Sequence, residues 1–127
     1  MKEFMFLIRN TGAGKEALSP VEQKEFLEKC RVYIGKLKKE GKLLAAQPLV
    51  REGAIISGSA GSWKEKAFDR NQEVQVGYYH ILAEDLNEAI AIAKENPEFE
   101  YGSTASIEVR PIKMKESSTG FVYPKTN

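Results

Sequence analysis

A run of five apolar residues, Phe4 to Ile8, opens this chain and predicts a β-strand. A strand with one solvated face alternates polar and apolar residues, whereas a strand covered on both faces is apolar throughout. The run therefore predicts a central strand with a layer of structure on each side. A chain of 127 residues is long enough to build one such sheet and its helices as a single domain.

The first helix has signals at both of its ends. Ser19 can cap free backbone N–H groups, Pro20 suits the first helical position, and Glu22 completes a capping box. Gly41 can adopt the left-handed conformation that ends a helix. Between these ends, apolar residues recur at helical spacing and predict a core-facing stripe of Phe26, Cys30, Tyr33, Ile34 and Leu37.

The rest of the chain predicts mainly strands. We expect them at Leu43–Val50, Ala54–Ser57, Gln75–Ala83 and Ala105–Ile112, with a small hairpin around Ser59-Ala60-Gly61. Pro48 cannot donate to a sheet ladder, so the first of these strands is expected at an edge. Asp85 predicts the start of a second helix, whose apolar stripe is Leu86, Ala89, Ile90 and Ala93.

The predicted order β-α-β-β-β-α-β indicates an α+β fold of the ferredoxin-like, split βαβ type. It has one antiparallel sheet, an inserted hairpin and two helices on one face. The other face would carry apolar residues into solvent, so we expect a second copy to cover it in a homodimer. We assign one domain to residues 1–113 and a C-terminal tail to residues 114–127.

Charge and cysteine content limit the class of protein. Nineteen Lys and Arg against 18 Asp and Glu leave a net charge of +1, which provides no basic surface excess for nucleic acid. The single Cys30 excludes an internal disulfide and suits a reducing compartment. The apolar start is too short for a signal peptide or a membrane span, so we expect a cytoplasmic protein that does not bind membranes.

The segment from Gln75 to Ile112 resembles the second half of YCII-related proteins, especially the DGPF subgroup. Gly77-Tyr78-Tyr79 on one strand and the closing Glu108-Val109-Arg110-Pro111 carry the resemblance, which extends over roughly residues 2–113. It implies a dimeric α/β barrel with a pocket.

Departures from the family pattern affect the residues that carry chemistry. The position where many members place a histidine on the first helix is Cys30. The aspartate proposed to pair with that histidine has no counterpart, because Val50-Arg51-Glu52 occupies the region. The tetrapeptide that names the subgroup falls on Glu65-Lys66-Ala67-Phe68, where only the phenylalanine remains. The resemblance therefore implies no His–Asp acid–base pair.

Two further sequence features have ordinary structural interpretations. Gly12-Ala13-Gly14-Lys15 looks like the end of a phosphate-binding loop, but it lacks the upstream glycine and the following Ser or Thr, so we predict a plain loop. Cys30 lies in the apolar stripe of the first helix, where a free thiol usually packs as a small hydrophobe. A pair between Cys30 and the only histidine, His80, and a role in shaping a pocket are the alternatives.

Strand parity brings a second group of candidate residues together. Tyr78 and His80 share one side of their strand, and Glu108 and Arg110 share one side of the last strand. If the aliphatic sides meet the helices, all four residues lie on the non-helical face. They form either an internal Glu–Arg pair with a hydrogen-bonded histidine or a polar pocket. In the pocket, Arg110 would bind an anion, with Glu108 and Tyr78 beside it, and His80 would be the catalytic proton carrier.

Two functional hypotheses follow. The first is a dimer that binds a small polar or anionic molecule, with possible acid–base activity. The alternative is a non-catalytic dimerisation or regulatory module with a vestigial pocket, which the cysteine at position 30 favours. A single histidine with no second nitrogen or sulfur ligand at useful spacing predicts no metal site, and no cofactor is expected.

Overall fold

The structure of the protein, a computed structural model, describes residues 1–11, 18–68, 72–101 and 104–124. The glycine-rich segment at 12–15 lies outside the described residues. In chain order the elements are β1 (Lys2–Asn10), α1 (Pro20–Lys39), β2 (Leu43–Pro48), β3 (Ile55–Ser59), β4 (Ser62–Lys66), β5 (Val74–Ala83), α2 (Leu86–Lys94), α3 (Glu98–Tyr101) and β6 (Ser106–Pro111).

Four strands form one antiparallel sheet in the order β2-β5-β1-β6. The apolar run at the start of the chain is therefore an inner strand, as its composition predicts, and β2 with Pro48 lies at an edge. The α+β class with an antiparallel sheet is confirmed. The short helix α3 was not predicted; it begins directly after Asn96-Pro97, where the sequence indicates only the end of α2.

The ends of α1 have the predicted geometry. The Ser19 hydroxyl accepts a hydrogen bond from the backbone N–H of Glu22 at 3.2 Å, and the Glu22 carboxylate accepts one from the backbone N–H of Ser19 at 3.1 Å. Gly41 follows the helix with φ +71°, a conformation that is strained for residues with a side chain. In the part of the chain that the structure describes, no helix is long and apolar enough to cross a lipid bilayer.

The core lies between the sheet and the two longer helices. Alternate residues of the inner strands are buried, and the helices contribute the other wall: Phe4, Phe6, Ile8, Tyr79, Ile81, Ala83, Tyr33, Leu37, Ala89, Ile92 and Ala93. The predicted stripe of α2 needs one correction. Leu86, the first residue of the helix, is exposed, and Ile92 is buried in the core, because the wall of the core is formed by positions 89, 92 and 93.

The second face of the sheet has no helix on it in the described part of the chain. Met5 and Leu7 on β1 and Leu82 on β5 lie on this face and are only half-buried. The five-residue apolar run of β1 thus supplies a packed face and an open apolar face. We call this second side the open face.

The inserted hairpin, β3 and β4, forms a separate two-stranded sheet with Ser59 paired to Ser62 across its turn. All ten residues of the two strands are exposed. The hairpin predicted around Ser59-Ala60-Gly61 is confirmed. It projects from the domain instead of packing on it.

The segment after β6 folds back in a short turn. A β-bridge joins Lys115 to Val122, and the rings of Phe121 and Tyr123 meet edge to face, with centroids 5.4 Å apart. Phe121, Val122 and Tyr123 are exposed. The described part of the C-terminal segment is therefore a small turn with apolar residues at its surface.

Candidate functional site

The strand register brings the four predicted polar residues to the open face. His80 on β5 and Arg110 on β6 are both cross-strand partners of Met5, and Tyr78 and Glu108 are both partners of Leu7. Directly paired residues of an antiparallel ladder point to the same side of the sheet. His80 and Arg110 therefore lie on the same face, on strands that flank β1.

His80 has a close partner that sequence reasoning did not assign. Its Nε2 atom lies 2.7 Å from Oε1 of Glu3, and the two side chains are 22% and 11% exposed. Strand parity places Glu3 on the same side as Met5, so the pair belongs to the open face. Parity alone was the signal that could have found Glu3, because the two residues are 77 positions apart in the chain.

Arg110 and Glu108 form a looser pair. The Arg110 Nη1 and Glu108 Oε2 atoms are 3.5 Å apart, and the two side chains are 68% and 44% exposed. An exposed ion pair of this kind contributes roughly 0–1 kcal/mol to stability. In a single chain, therefore, Arg110 is an accessible cation at the end of the open face and not a buried one.

A cleft lies on the opposite, helical side of the sheet. It has a volume of about 240 Å³ and is formed by α1, by β1, and by the edge of the sheet at β2 and β5. Its lining is mostly apolar and consists of Ile8, Phe26, Leu27, Cys30, Ile34, Ala46, Gln47, Pro48, Val76, Gly77, Tyr79 and Glu98. The volume is slightly below the roughly 300 Å³ at the lower end of typical ligand pockets, which suits a small, compact molecule.

Gly77 keeps the sheet edge of this cleft open. A Cβ atom at this position would lie 3.3 Å from the backbone oxygen of Gln47 and 3.5 Å from Cα of Pro48. Because β2 and β5 approach so closely here, a side chain at position 77 would press on the edge strand. The glycine found by the sequence resemblance therefore has a steric role in the wall of the cleft.

Four residues with polar side chains line the cleft among its apolar walls: Cys30 from α1, Gln47 from β2, Tyr79 from β5 and Glu98 from α3. Burial is the largest cause that raises the pKa of Tyr79 to about 12, the neighbouring Cys30 and Glu98 also raise it, and the Asn96 side chain acts in the opposite direction. Tyr79 is therefore a neutral hydroxyl near pH 7. The described lining of the cleft offers hydrogen-bonding groups and one carboxyl group, but no basic side chain.

Tyr33 packs against Tyr79 in the wall of the cleft. Its ring meets the ring of Tyr79 edge to face, with centroids 5.7 Å apart, and its hydroxyl donates a hydrogen bond to the backbone oxygen of Ile92 at 2.7 Å. Burial is also the largest cause of the raised pKa of Tyr33. The two tyrosines thus connect α1, α2 and the sheet behind the cleft.

Glu98 was not among the sequence candidates. It is 7% exposed, and its backbone N–H donates to the side-chain oxygen of Asn96 at 2.9 Å. An Asn that accepts from the N–H two residues later forms an Asx turn, and here the turn carries the carboxyl of Glu98 into the cleft wall. Asn96-Pro97 is a recognisable turn signal in the sequence, but the direction of the following side chain is set by the packing of α3.

Cys30 and His80 lie on different sides of the sheet. Cys30 contributes to the helical side, whereas His80 is paired with Met5 on the open face. The thiolate–imidazole pair considered as an alternative from the sequence is therefore wrong, because the sheet itself lies between the two groups.

The region after β2, where the family pattern has an aspartate, holds a structural contact. The Arg51 guanidinium donates to the side-chain oxygen of Asn10 at 2.8 Å and to its backbone oxygen at 3.4 Å. This contact connects the start of the inserted segment to the end of β1. Position 51 therefore anchors the hairpin base instead of supplying an acid–base group.

Comparison with known proteins identifies one family. The family model of the YCII-related domain matches residues 3–113 of the chain, which includes every strand and helix described above except Lys2, the first residue of β1. No curated protein matches the chain.

Proposed function

The chain belongs to the YCII-related domain family, and from this premise we propose that it is a homodimeric protein that binds a small molecule in the cleft beside Cys30. The observation that carries the proposal is the cleft itself, a mostly apolar space of about 240 Å³ with four polar residues in its wall. Ligand sites typically combine an apolar lining with a few polar groups that orient the ligand.

The polar groups of the cleft favour a neutral or cationic ligand. The described lining contains a carboxyl group, Glu98, and no basic side chain, so it would favour a hydrogen-bond donor or a cation over an anion. We propose a compact molecule with an apolar body and a hydrogen-bond donor that can reach Glu98. Its apolar part would contact residues such as Phe26 and Val76.

The geometry favours binding in the cleft without acid–base catalysis. The only histidine points away from the cleft, and Arg51 is engaged with Asn10 where the family pattern has its aspartate. This agrees with the sequence hypothesis of a binding or regulatory module.

The homodimer is proposed from the open face. Met5, Leu7 and Leu82 are half-buried apolar residues on a face that no helix of the described residues covers, and an exposed apolar surface commonly marks an interaction site. A twofold dimer apposes the same surface of both copies. Each sheet would then have helices on one side and the partner's sheet on the other, which is the arrangement of a dimeric α/β barrel.

A second candidate site belongs to the open face of such a dimer. Arg110 is exposed in the single chain, and its pair with Glu108 is long at 3.5 Å. If the partner covers it, a guanidinium requires a carboxylate or an anionic ligand. We therefore propose that an anionic molecule would bind beside Arg110, Glu108, Tyr78 and His80, with the Glu3–His80 pair as its proton carrier.

A thermal-shift screen with a panel of neutral, cationic and anionic metabolites distinguishes the cleft from the open-face site. A ligand at 100 times its dissociation constant stabilises the folded state by about 2.7 kcal/mol, which raises the melting temperature by roughly 10 °C for a domain of this size. The screen is repeated with Cys30→Phe, which fills the cleft, and with Val32→Phe as control. Val32 lies on the exposed side of the same helix.

The cleft proposal expects neutral or cationic hits that disappear in Cys30→Phe and persist in Val32→Phe. Hits that are anionic, survive Cys30→Phe and are lost in Arg110→Met would support the open-face site. A panel in which hits bind Cys30→Phe and the wild type equally, with no dependence on Arg110, would refute both sites.

A further inference from the structure

Asn96, in the turn between α2 and α3, is a buried polar residue with 2% of its surface exposed. Its side-chain oxygen accepts a hydrogen bond from the backbone N–H of Glu98 at 2.9 Å. This contact fixes the orientation of the amide, because the NH2 group must then point the other way. Within the described residues, that nitrogen is buried and has no hydrogen-bond partner of normal geometry. A buried donor left without a partner costs roughly 1–3 kcal/mol, so the nitrogen needs an acceptor close by.

The groups beside this nitrogen are two tyrosine hydroxyls. Burial is the largest cause that raises the pKa of both Tyr33 and Tyr79, and the Asn96 side chain acts in the opposite direction on each. An amide N–H directed at a tyrosine oxygen has this effect, because it stabilises the phenolate form. The hydrogen of the Tyr33 hydroxyl is used by the backbone oxygen of Ile92 at 2.7 Å. Because an NH2 group only donates, the hydrogen of the Tyr79 hydroxyl is left for another acceptor.

Asn96 therefore joins a hydrogen-bond donor and an acceptor in the wall of the cleft. Tyr79 and Glu98 both line the cleft. With its pKa raised to about 12, Tyr79 is a neutral hydroxyl that can donate near neutral pH. The carboxyl group of Glu98 supplies acceptor oxygens, and two carboxylate oxygens together offer about four acceptor positions. The side chain of Asn96 binds the backbone of Glu98 at one end and lies beside the Tyr79 hydroxyl at the other.

A donor next to an acceptor selects the complementary head group. A carboxylate offers only acceptors and an ammonium or amidinium only donors, whereas a carboxamide offers a carbonyl oxygen and an N–H on the same carbon atom. The remaining wall, which includes Phe26, Pro48 and Val76, is apolar. The space of about 240 Å³ suits a small flat ring that carries one such head group.

We propose that the cleft binds a compact molecule with a primary carboxamide group, whose carbonyl accepts from the Tyr79 hydroxyl and whose N–H donates to Glu98. The inference rests on the proposed cleft and narrows its ligand from any compact neutral or cationic molecule to one with a paired acceptor and donor. Asn96 is a positioning residue, because it acts through Tyr79 and Glu98. Selection is expected to be strong, since a ligand that lacks either group leaves a buried partner unpaired.

Three probes with the same ring and nearly the same shape test the head group on the wild-type chain. Benzamide has both the carbonyl and the N–H, acetophenone replaces the amide nitrogen with a methyl group, and benzamidine replaces the oxygen with a second nitrogen. Isothermal titration calorimetry measures their affinities. We expect benzamide to bind at least about tenfold more tightly than either analogue, which corresponds to about 1.4 kcal/mol, the value of one good hydrogen bond.

Two variants test the contacts one at a time. Tyr79→Phe removes the hydroxyl and keeps the ring, so it should weaken benzamide about tenfold and leave benzamidine, which has no oxygen, within about twofold. Asn96→Asp keeps an oxygen for the N–H of Glu98 but replaces the donor beside Tyr79 with an acceptor. The Tyr79 hydroxyl should then donate to the aspartate, so this variant should also weaken benzamide and not benzamidine. A general loss of packing would weaken both probes alike, and circular dichroism checks the fold.

The outcomes separate this inference from the cleft itself. Benzamidine or acetophenone binding as tightly as benzamide overturns the carboxamide and leaves the cleft standing. Equal weakening of benzamide and benzamidine by Tyr79→Phe overturns the hydroxyl contact. Probe binding that survives Cys30→Phe, the variant that fills the cleft, overturns both the carboxamide and the cleft. If no probe binds while the metabolite screen gives hits that Cys30→Phe abolishes, the carboxamide alone is overturned.

Discussion

Met5→Lys is the most direct perturbation of the proposed dimer. Met5 lies at the centre of the open face, between its two cross-strand partners His80 and Arg110. A lysine here adds a positive charge beside a guanidinium without adding a carboxylate. The packed side of the strand, with Phe4 and Phe6, is not touched.

The expected change in the dimer dissociation constant follows from the cost of burying the lysine charge in the interface. An uncompensated charge in an interface costs about 3 kcal/mol at the lower end of the usual range, and the twofold axis places two such charges in each dimer. A total of about 6 kcal/mol corresponds to a dissociation constant roughly four orders of magnitude larger. The monomer should remain folded, because the substituted side chain faces away from the helical core.

Sedimentation equilibrium of wild type and variant measures this change, and circular dichroism verifies the fold. Val32→Lys is the control, since it introduces the same charge at an exposed apolar position on α1. We expect wild-type dimerisation in the control and a monomer in Met5→Lys at micromolar concentration. A Met5→Lys protein that dimerises as tightly as wild type would show that the open face is not the interface.

Three further predictions test the core and the site. Because the pKa of Tyr79 is raised to about 12 in the folded state, its phenolic proton is lost at lower pH in the unfolded state than in the folded state. The free energy of unfolding should therefore fall as the pH rises from 10 to about 12. Urea melts measure this fall, and Tyr79→Phe should make it smaller. Phe6→Ala should lower the free energy of unfolding by about 3–5 kcal/mol in urea melts, because the ring is fully buried, and a loss below 1 kcal/mol would contradict the described core. Arg110→Met should change monomer stability by less than about 0.5 kcal/mol, since its ion pair is exposed, and a variant that unfolds would indicate a structural role for the pair.

Sequence reasoning succeeded where the signal is local. The cap at Ser19, the stop at Gly41 and the edge position of β2 each depend on a few neighbouring residues or on the chemistry of one proline. Strand parity likewise follows from the backbone, so the shared face of His80 and Arg110 could be predicted. Leu86 was misassigned because helix periodicity does not show where the neighbouring sheet ends.

The sequence by itself determined the elements of this protein apart from α3, and the side of each strand on which a residue lies, since both depend on backbone geometry over a few residues. Only the tertiary structure decided which distant residues meet. Strand pairing brings Glu3 to 2.7 Å from His80, and the packing of α3 carries Glu98 into the wall of the cleft beside Cys30. The sheet, once formed, separates Cys30 from His80, because a layer of strands lies between its two faces.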